Sequence, residues 1–176
     1  MQKPFSAKDF GIIFAMTKSW GASIVSFSEF SKLRPKLGKI VATSGGFDPI
    51  HPGHISCIIE SKKYGDTLAV IVNGDAFLTA KKGRPFQNLK TRCQIVSGIR
   101  DVDYVIPFEI KGDQTVSKAL EALKPDVFTK GGDRVDEKTI PEWQTCEKYG
   151  IEIISGVGED KLWSSSQFLH EWTSGK

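Results

Sequence analysis

Cysteine is scarce in this chain. Cys57, Cys93 and Cys146 stand far apart, are odd in number and form no C-x-x-C pair. That pattern argues against a zinc site and against a disulfide framework, and it fits a reducing compartment. Cys57 and Cys93 fall in apolar helical patterns and are expected to be buried core thiols. Histidine is equally rare, three in 176 residues, and two of the three fall in one short segment. No stretch is long and apolar enough to cross a membrane. The apolar run from Phe10 to Met16 is bracketed by Lys8, Asp9 and Lys18, and no small-residue cleavage pattern follows it, so a signal peptide is not expected. A net charge of +3 permits anionic ligands but lacks the concentrated basic stripe of a nucleic-acid binder. The expected setting is cytoplasmic, with neither nucleic acid nor membrane as partner.

What is present fits one soluble globular domain: 176 residues, 39% apolar and 26% charged. Residues 1–38 are rich in Ser, Phe and Lys, show no strong strand, and are expected to form an extension packed on the domain of residues 39–176. Within the extension, Ser28 is expected to cap a short helix that Pro35 and Gly38 end. After it, strand-like and helix-like segments alternate. KIVATS, TLAVIVN, DYVIPF, DVFTK and Ile151 to Ser155 read as strands. Between and after them, helices are expected over His54 to Tyr64, Thr91 to Arg100, Thr115 to Leu123, Ile140 to Tyr149 and Ser166 to Trp172. This order predicts an α/β fold, a Rossmann-like three-layer α/β/α sandwich with a five-stranded, mostly parallel sheet. Ligands of such sheets bind beyond the carboxyl ends of the strands.

The segment GGFDPIHPGH, Gly45 to His54, joins the first strong strand to the helix after it. Gly45 and Gly46 permit a tight turn, Pro49 and Pro52 stiffen it, and a helix starting at Pro52 or Gly53 puts His51 and His54 on one side. Unpaired N–H groups and the positive dipole end point the same way, which makes an anion site. Two imidazoles there can donate to phosphate oxygens as charge builds on a five-coordinate phosphorus. On these residues alone, a surface turn or a metal pair lacking a third ligand remain alternatives.

Three further segments fall at the same end of the sheet. KKGRP, Lys81 to Pro85, reads as a flexible loop able to clamp a polyphosphate, with Arg92 early in the next helix. Arg92 runs against the helix dipole there, which points to another partner such as phosphate. Lys130-Gly131-Gly132-Asp133 follows the fourth strong strand, where glycines admit a flat ligand and Asp133 can accept from a ribose hydroxyl or a base amine. Ser164, Ser165 and Ser166 open the last helix and can cap it or hold terminal phosphates.

The first segment matches G-x-F-D-x-x-H-x-G-H at every fixed position, so the chain resembles the cytidylyltransferase-like nucleotidyltransferases. The resemblance runs from Ser26 to Trp172. Within the family it is nearest to the adenylyltransferase part of bacterial ADP-heptose synthase, through GKIVATSGGFD, KKGRP, TRCQIVSGIRDVDYVIPF, LKPDVFTKGGD and SSSQF. That resemblance implies transfer of a nucleoside monophosphate from ATP, or CTP, to a phosphorylated sugar such as heptose 1-phosphate, with Mg2+ carried by the triphosphate and a homodimer as the assembly. It implies His51, His54 and Lys82 as catalytic residues. Gly46, Phe47, Asp48, Arg92, Lys130, Gly131, Gly132, Asp133, Ser164, Ser165 and Ser166 would bind nucleotide with the two histidines, and no residue would ligate a metal. The family's T-N-G-C-F-D stands here as Thr43-Ser44-Gly45-Gly46-Phe47-Asp48, and its S-T-T as three serines. These differences leave other acceptors open: glycerol 3-phosphate, a phosphoamino alcohol or a flavin nucleotide. A catalytically inactive nucleotide-binding regulator is the non-enzymatic alternative.

Overall fold

In the computed structural model of the protein, residues 19–110, 115–132, 134, 136–159 and 164–175 are described. Asp133 and residues 1–18 of the N-terminal extension lie outside them. The strands are β1 (Ser23–Ile24), β2 (Ile40–Gly45), β3 (Thr67–Asn73), β4 (Tyr104–Phe108), β5 (Val127–Thr129) and β6 (Glu152–Ile154). The helices are α1 (Phe27–Leu33), α2 (Pro52–Ser61), α3 (Asp75–Lys82), α4 (Leu89–Ser97), α5 (Ser117–Leu123), α6 (Trp143–Tyr149) and α7 (Ser165–Ser174).

All six strands form one parallel sheet in the order β1-β4-β3-β2-β5-β6. The expected count of five is corrected to six. The extra strand, β1, has only two residues, too short for an alternation of apolar and polar positions to show, and it pairs along the outer edge of β4. Every residue of β3 is buried, as its unbroken apolar run requires in a sheet covered on both faces.

The two faces have separate cores. Val41, Leu68, Val70, Val72, Val105 and Val127 meet Ile58 of α2 and Cys93 and Val96 of α4. Ile40, Ala42, Ile71, Ile106 and Phe128 meet Phe27 and Phe30 of α1, Leu120 and Leu123 of α5, and Cys146 of α6. Alternate strand residues therefore serve opposite layers. The chain steps outward from β2 through β3 to β4, then returns to the other side of β2 as β5. The crevice of a doubly wound sheet opens at such a reversal, here beyond Gly45 and Thr129.

Two local expectations change. Ser26, not Ser28, caps α1: its side chain accepts from the Glu29 N–H while the Glu29 carboxylate accepts from the Ser26 N–H, a reciprocal capping box. KKGRP is not wholly a loop, because Lys81 and Lys82 form the last turn of α3. Glu109 fixes the start of that helix by accepting from the N–H groups of Asp75 and Ala76 at 2.6 and 2.9 Å. That support comes from across the sheet and is invisible in the local pattern.

Candidate active site

At the reversal the strand ends open into a cavity of about 550 Å3. Gly45, Gly46, Phe47, His51 and His54 line it on one side, Lys130, Gly131, Gly132 and Arg134 on another, and Ser164, Ser165 and Ser166 close it. Asn73, Phe77, Lys81 and Glu142 also reach it.

His51 is the N-cap of α2. Its Nδ1 accepts the His54 backbone N–H at 3.3 Å, so the proton of the neutral ring sits on Nε2. The two imidazoles stack with centroids 3.6 Å apart and planes 17° apart. The Phe47 ring meets His54 edge-on at 5.2 Å. Phe47 holds that place at a positive φ of 51°, uncommon for a bulky residue, and its ring fills the space where a Cβ on Gly45 would lie. His54 Nδ1 is buried without a partner. Burial pushes the His54 pKa down to about 3, assisted by the neighbouring His51, Lys81 and Lys82. Burial also lowers His51. Both rings are thus neutral donors near pH 7, set at the first turn of α2 where Gly53 has no intrahelical acceptor.

The last helix is fastened to this motif. Ser164 caps α7 through the Gln167 N–H, Ser165 Oγ donates to the Pro49 carbonyl at 2.9 Å, and Phe168 meets the His51 ring edge-on. The three serines therefore stand beside the imidazole pair, as the sequence anticipates. Gly131 backs onto α2, where an added Cβ would lie 2.9 Å from Cys57 Sγ and 3.1 Å from the Val157 carbonyl, so no larger residue fits there. Cys57 itself is half-buried and lines the cavity, unlike Cys93, which is fully buried.

Three expected site residues sit elsewhere than at the cavity wall. Arg92 is fully buried. Its Nε donates to the Gln87 carbonyl at 3.0 Å, Nη1 to the carbonyls of Gly46 and Asn73 at 2.8 and 2.5 Å, and Nη2 to the Asp75 carboxylate at 2.7 Å. The partner that offsets its position near a helix N-terminus is Asp75, and the guanidinium also clamps the backbone of the cavity rim. Asp48 is buried too, accepting from the N–H groups of Phe86 and Gln87 at 2.8 and 2.7 Å and pairing with Lys82 Nζ at 2.8 Å. Lys82 also donates to the Asp48 carbonyl and faces a smaller neighbouring cavity with Arg84 and Phe86. It is Lys81, one residue earlier on α3, that reaches the main cavity.

Two polar residues at the cavity, Asn73 and Glu142, are given no role by sequence reasoning, whereas Lys130 is expected there. Lys130 Nζ is buried and lies 3.1 Å from Glu142 Oε2 and 3.3 Å from Ser44 Oγ. Burial lowers its pKa and the Glu142 carboxylate opposes that shift. Asn73 ends β3 with its Oδ1 buried and unpartnered. Glu142 gives no local signal, since it lies just before α6 and reaches Lys130 only through the fold. Among the described residues, no group of three or more His, Cys, Asp or Glu could hold a metal ion, and no helix is long and apolar enough to cross a membrane.

Comparison with known proteins agrees with this geometry. The cytidylyltransferase-like family model matches residues 42–158, more than half of the chain. Bifunctional protein HldE of Hahella chejuensis is 41% identical over 117 residues, covering 65% of this chain and 24% of that protein. HldE of Aliarcobacter butzleri is 39% identical over 139 residues, covering 76% and 29%. The chain thus spans about a quarter of the length of these curated relatives. A lipopolysaccharide core biosynthesis protein from Thermoplasma volcanium superimposes with a TM-score of 0.59 at 32% identity, covering 70% of this chain and 99% of that one. Pantoate-beta-alanine ligase from Francisella tularensis, bound to beta-gamma ATP and beta-alanine, shares the fold at 18% identity with a TM-score of 0.60, over 85% and 73% of the two chains. With His51 capping the helix after the central strand and the family model matching residues 42–158, this chain is a member of the cytidylyltransferase-like family.

Proposed function

We propose that the protein transfers the adenylyl group of ATP to a phosphorylated sugar of the heptose 1-phosphate type, forming a nucleotide-diphosphate sugar and releasing pyrophosphate. The observation that carries this reading is the stacked, neutral pair of His51 and His54 at the N-terminus of α2, opening on the cavity. Choice of ATP and of a heptose rests on the motif resemblance to ADP-heptose synthase and on relatives named HldE.

The reaction is an in-line displacement. A phosphate oxygen of the acceptor attacks the α-phosphorus of ATP, a new P–O bond forms, and the bond to the β-phosphate oxygen breaks as pyrophosphate leaves. A phosphate monoester is already nucleophilic near neutral pH, so the protein supplies position and charge stabilisation rather than a base. His51 and His54 donate to the α-phosphate oxygens as charge builds on them. Lys81 adds a cation on the same side. Ser165 and Ser166, with the N–H groups at the start of α7, hold the β- and γ-phosphates. The backbone of Gly131 and Gly132 lets the nucleoside lie close to the sheet. Asp48, Lys82 and Arg92 keep the Gly46–Phe47 turn and the start of α4 in place. Mg2+ would be carried by the triphosphate and would there offset part of its phosphate charge. The enzyme would work in the cytoplasm as a homodimer.

The test is pyrophosphate release with ATP and CTP, each crossed with heptose 1-phosphate, glycerol 3-phosphate, phosphoethanolamine and flavin mononucleotide. Release with ATP and heptose 1-phosphate alone is expected. Release with CTP and glycerol 3-phosphate would reassign the substrate, and silence across the panel would leave a nucleotide-binding protein without turnover.

A further inference from the structure

The cavity straddles the carboxyl edge of the sheet, and its two halves differ in chemistry. The α2 half holds the imidazole pair and the close approach of Gly131 to Cys57. The other half follows from strand alternation. Ala42, Ile71 and Phe128 face the α1, α5 and α6 layer. Two residues on, Ser44, Asn73 and Lys130 extend that face past the apolar core. They lie at or next to the carboxyl ends of three adjacent strands and form a polar layer above the core. Glu142 joins it from the segment before α6, anchored by the Val116 N–H that donates to its Oε1 at 3.2 Å.

One buried acceptor in this layer lacks a donor, and a second is met by a single cation. Asn73 is 8% exposed and its Oδ1 has no hydrogen-bond partner. Glu142 is 4% exposed, and its Oε2 is paired with Lys130 Nζ at 3.1 Å. Buried acceptors are rarely left unmatched in folded proteins, and both residues line the cavity. We infer that this half is the acceptor subsite, and that Asn73 and Glu142 read the hydroxyl groups of a polyhydroxylated acceptor. The inference rests on the transferase reading above and specifies which side of the cavity the acceptor takes.

Hydroxyls fit better than an ammonium. Lys130 already neutralises Glu142, so a second cation would meet a positive neighbour at short range. A hydroxyl donates to the unpaired Asn73 oxygen and to the Glu142 carboxylate without adding charge. The acceptor phosphate, on this placement, projects across the strand ends towards the α2 half, where the triphosphate lies.

The test is calorimetric binding in the presence of a non-hydrolysable ATP analogue, which separates recognition from turnover. Heptose 1-phosphate is the polyhydroxylated probe and phenyl phosphate the hydroxyl-free monoester. Wild type is expected to prefer the sugar. Asn73→Ala and Glu142→Gln should each weaken heptose 1-phosphate by about tenfold, while phenyl phosphate and the ATP analogue bind as in wild type. Thermal melting shows whether Glu142→Gln folds, and if it does not, Asn73→Ala decides alone. Equal loss for both monoesters would make the layer a phosphate holder, loss of the ATP analogue would make it part of the nucleotide site, and unchanged sugar affinity would remove both residues from recognition. Each overturns the inference. Wild type that binds sugar with this preference yet releases no pyrophosphate would overturn the proposed function and leave the subsite standing.

Discussion

The imidazoles of His51 and His54 lie face to face at 3.6 Å, too close for both to be positively charged imidazolium rings in a partly dry site. Their neutrality is what suits them to the reaction. A neutral donor binds the ground-state triphosphate modestly and gains as the α-phosphate oxygens take on charge.

This neutrality has a signature in stability. A native His54 pKa of about 3, against an ordinary 6.5, means the unfolded chain binds more protons between those values. Stability from this residue is complete above the unfolded pKa and falls as pH drops below it. Between pH 7 and pH 5 the loss from His54 is about 2 kcal/mol. Urea denaturation at the two pH values should show it, and His54→Gln, neutral throughout, should reduce the difference. An unchanged difference in the variant would place the acid sensitivity elsewhere.

Lys81 and Lys82 should separate cleanly although they are neighbours. Lys81 lines the main cavity, so Lys81→Ala is expected to raise the KM for triphosphate several-fold with little change in melting temperature. Lys82 pairs with the buried Asp48 carboxylate, so Lys82→Ala leaves that charge without its cation and should lower stability by about 3 kcal/mol. Steady-state kinetics and thermal melting of the two variants check this. The reverse pattern would restore Lys82 as the phosphate ligand.

Much of this site is legible in the sequence, and the reasons are local. The turn from Gly45 to His54 is set by glycine, proline and helix-start chemistry that act within ten residues, so the His51–His54 pairing on one side of α2 follows from spacing. The serine cap of α7 is legible for the same reason. What escapes is decided by register and distance. α3 is hidden because Glu109, far along the chain, fixes its first turn, and without the helix Lys81 and Lys82 cannot be told apart. Arg92 carries a correct signal, an odd place for a cation, and its protein partners prove to be three carbonyls and Asp75. The Lys130–Glu142 pair joins a strand end to a helix start and leaves no spacing rule to find it.

Arg92 makes a prediction of its own. Its guanidinium ties Gly46, Asn73 and Gln87 together in full burial, so Arg92→Ala strands three carbonyls and one carboxylate. A loss of about 3–5 kcal/mol is expected, which for a domain of this size lowers the melting temperature by about 10 °C. Where the variant is folded, its affinity for triphosphate should stay within a few-fold of wild type. A stable variant that has lost triphosphate binding would return Arg92 to the phosphate site.

The central claim is that His54 acts on the transition state rather than on the bound triphosphate. Turnover and ATP-analogue affinity of His54→Ala, measured side by side with saturating acceptor, test it most directly. The account predicts kcat lower by about 100- to 1000-fold, with affinity changed no more than a few-fold. Wild-type turnover, or a loss carried wholly by weaker nucleotide binding, would contradict it.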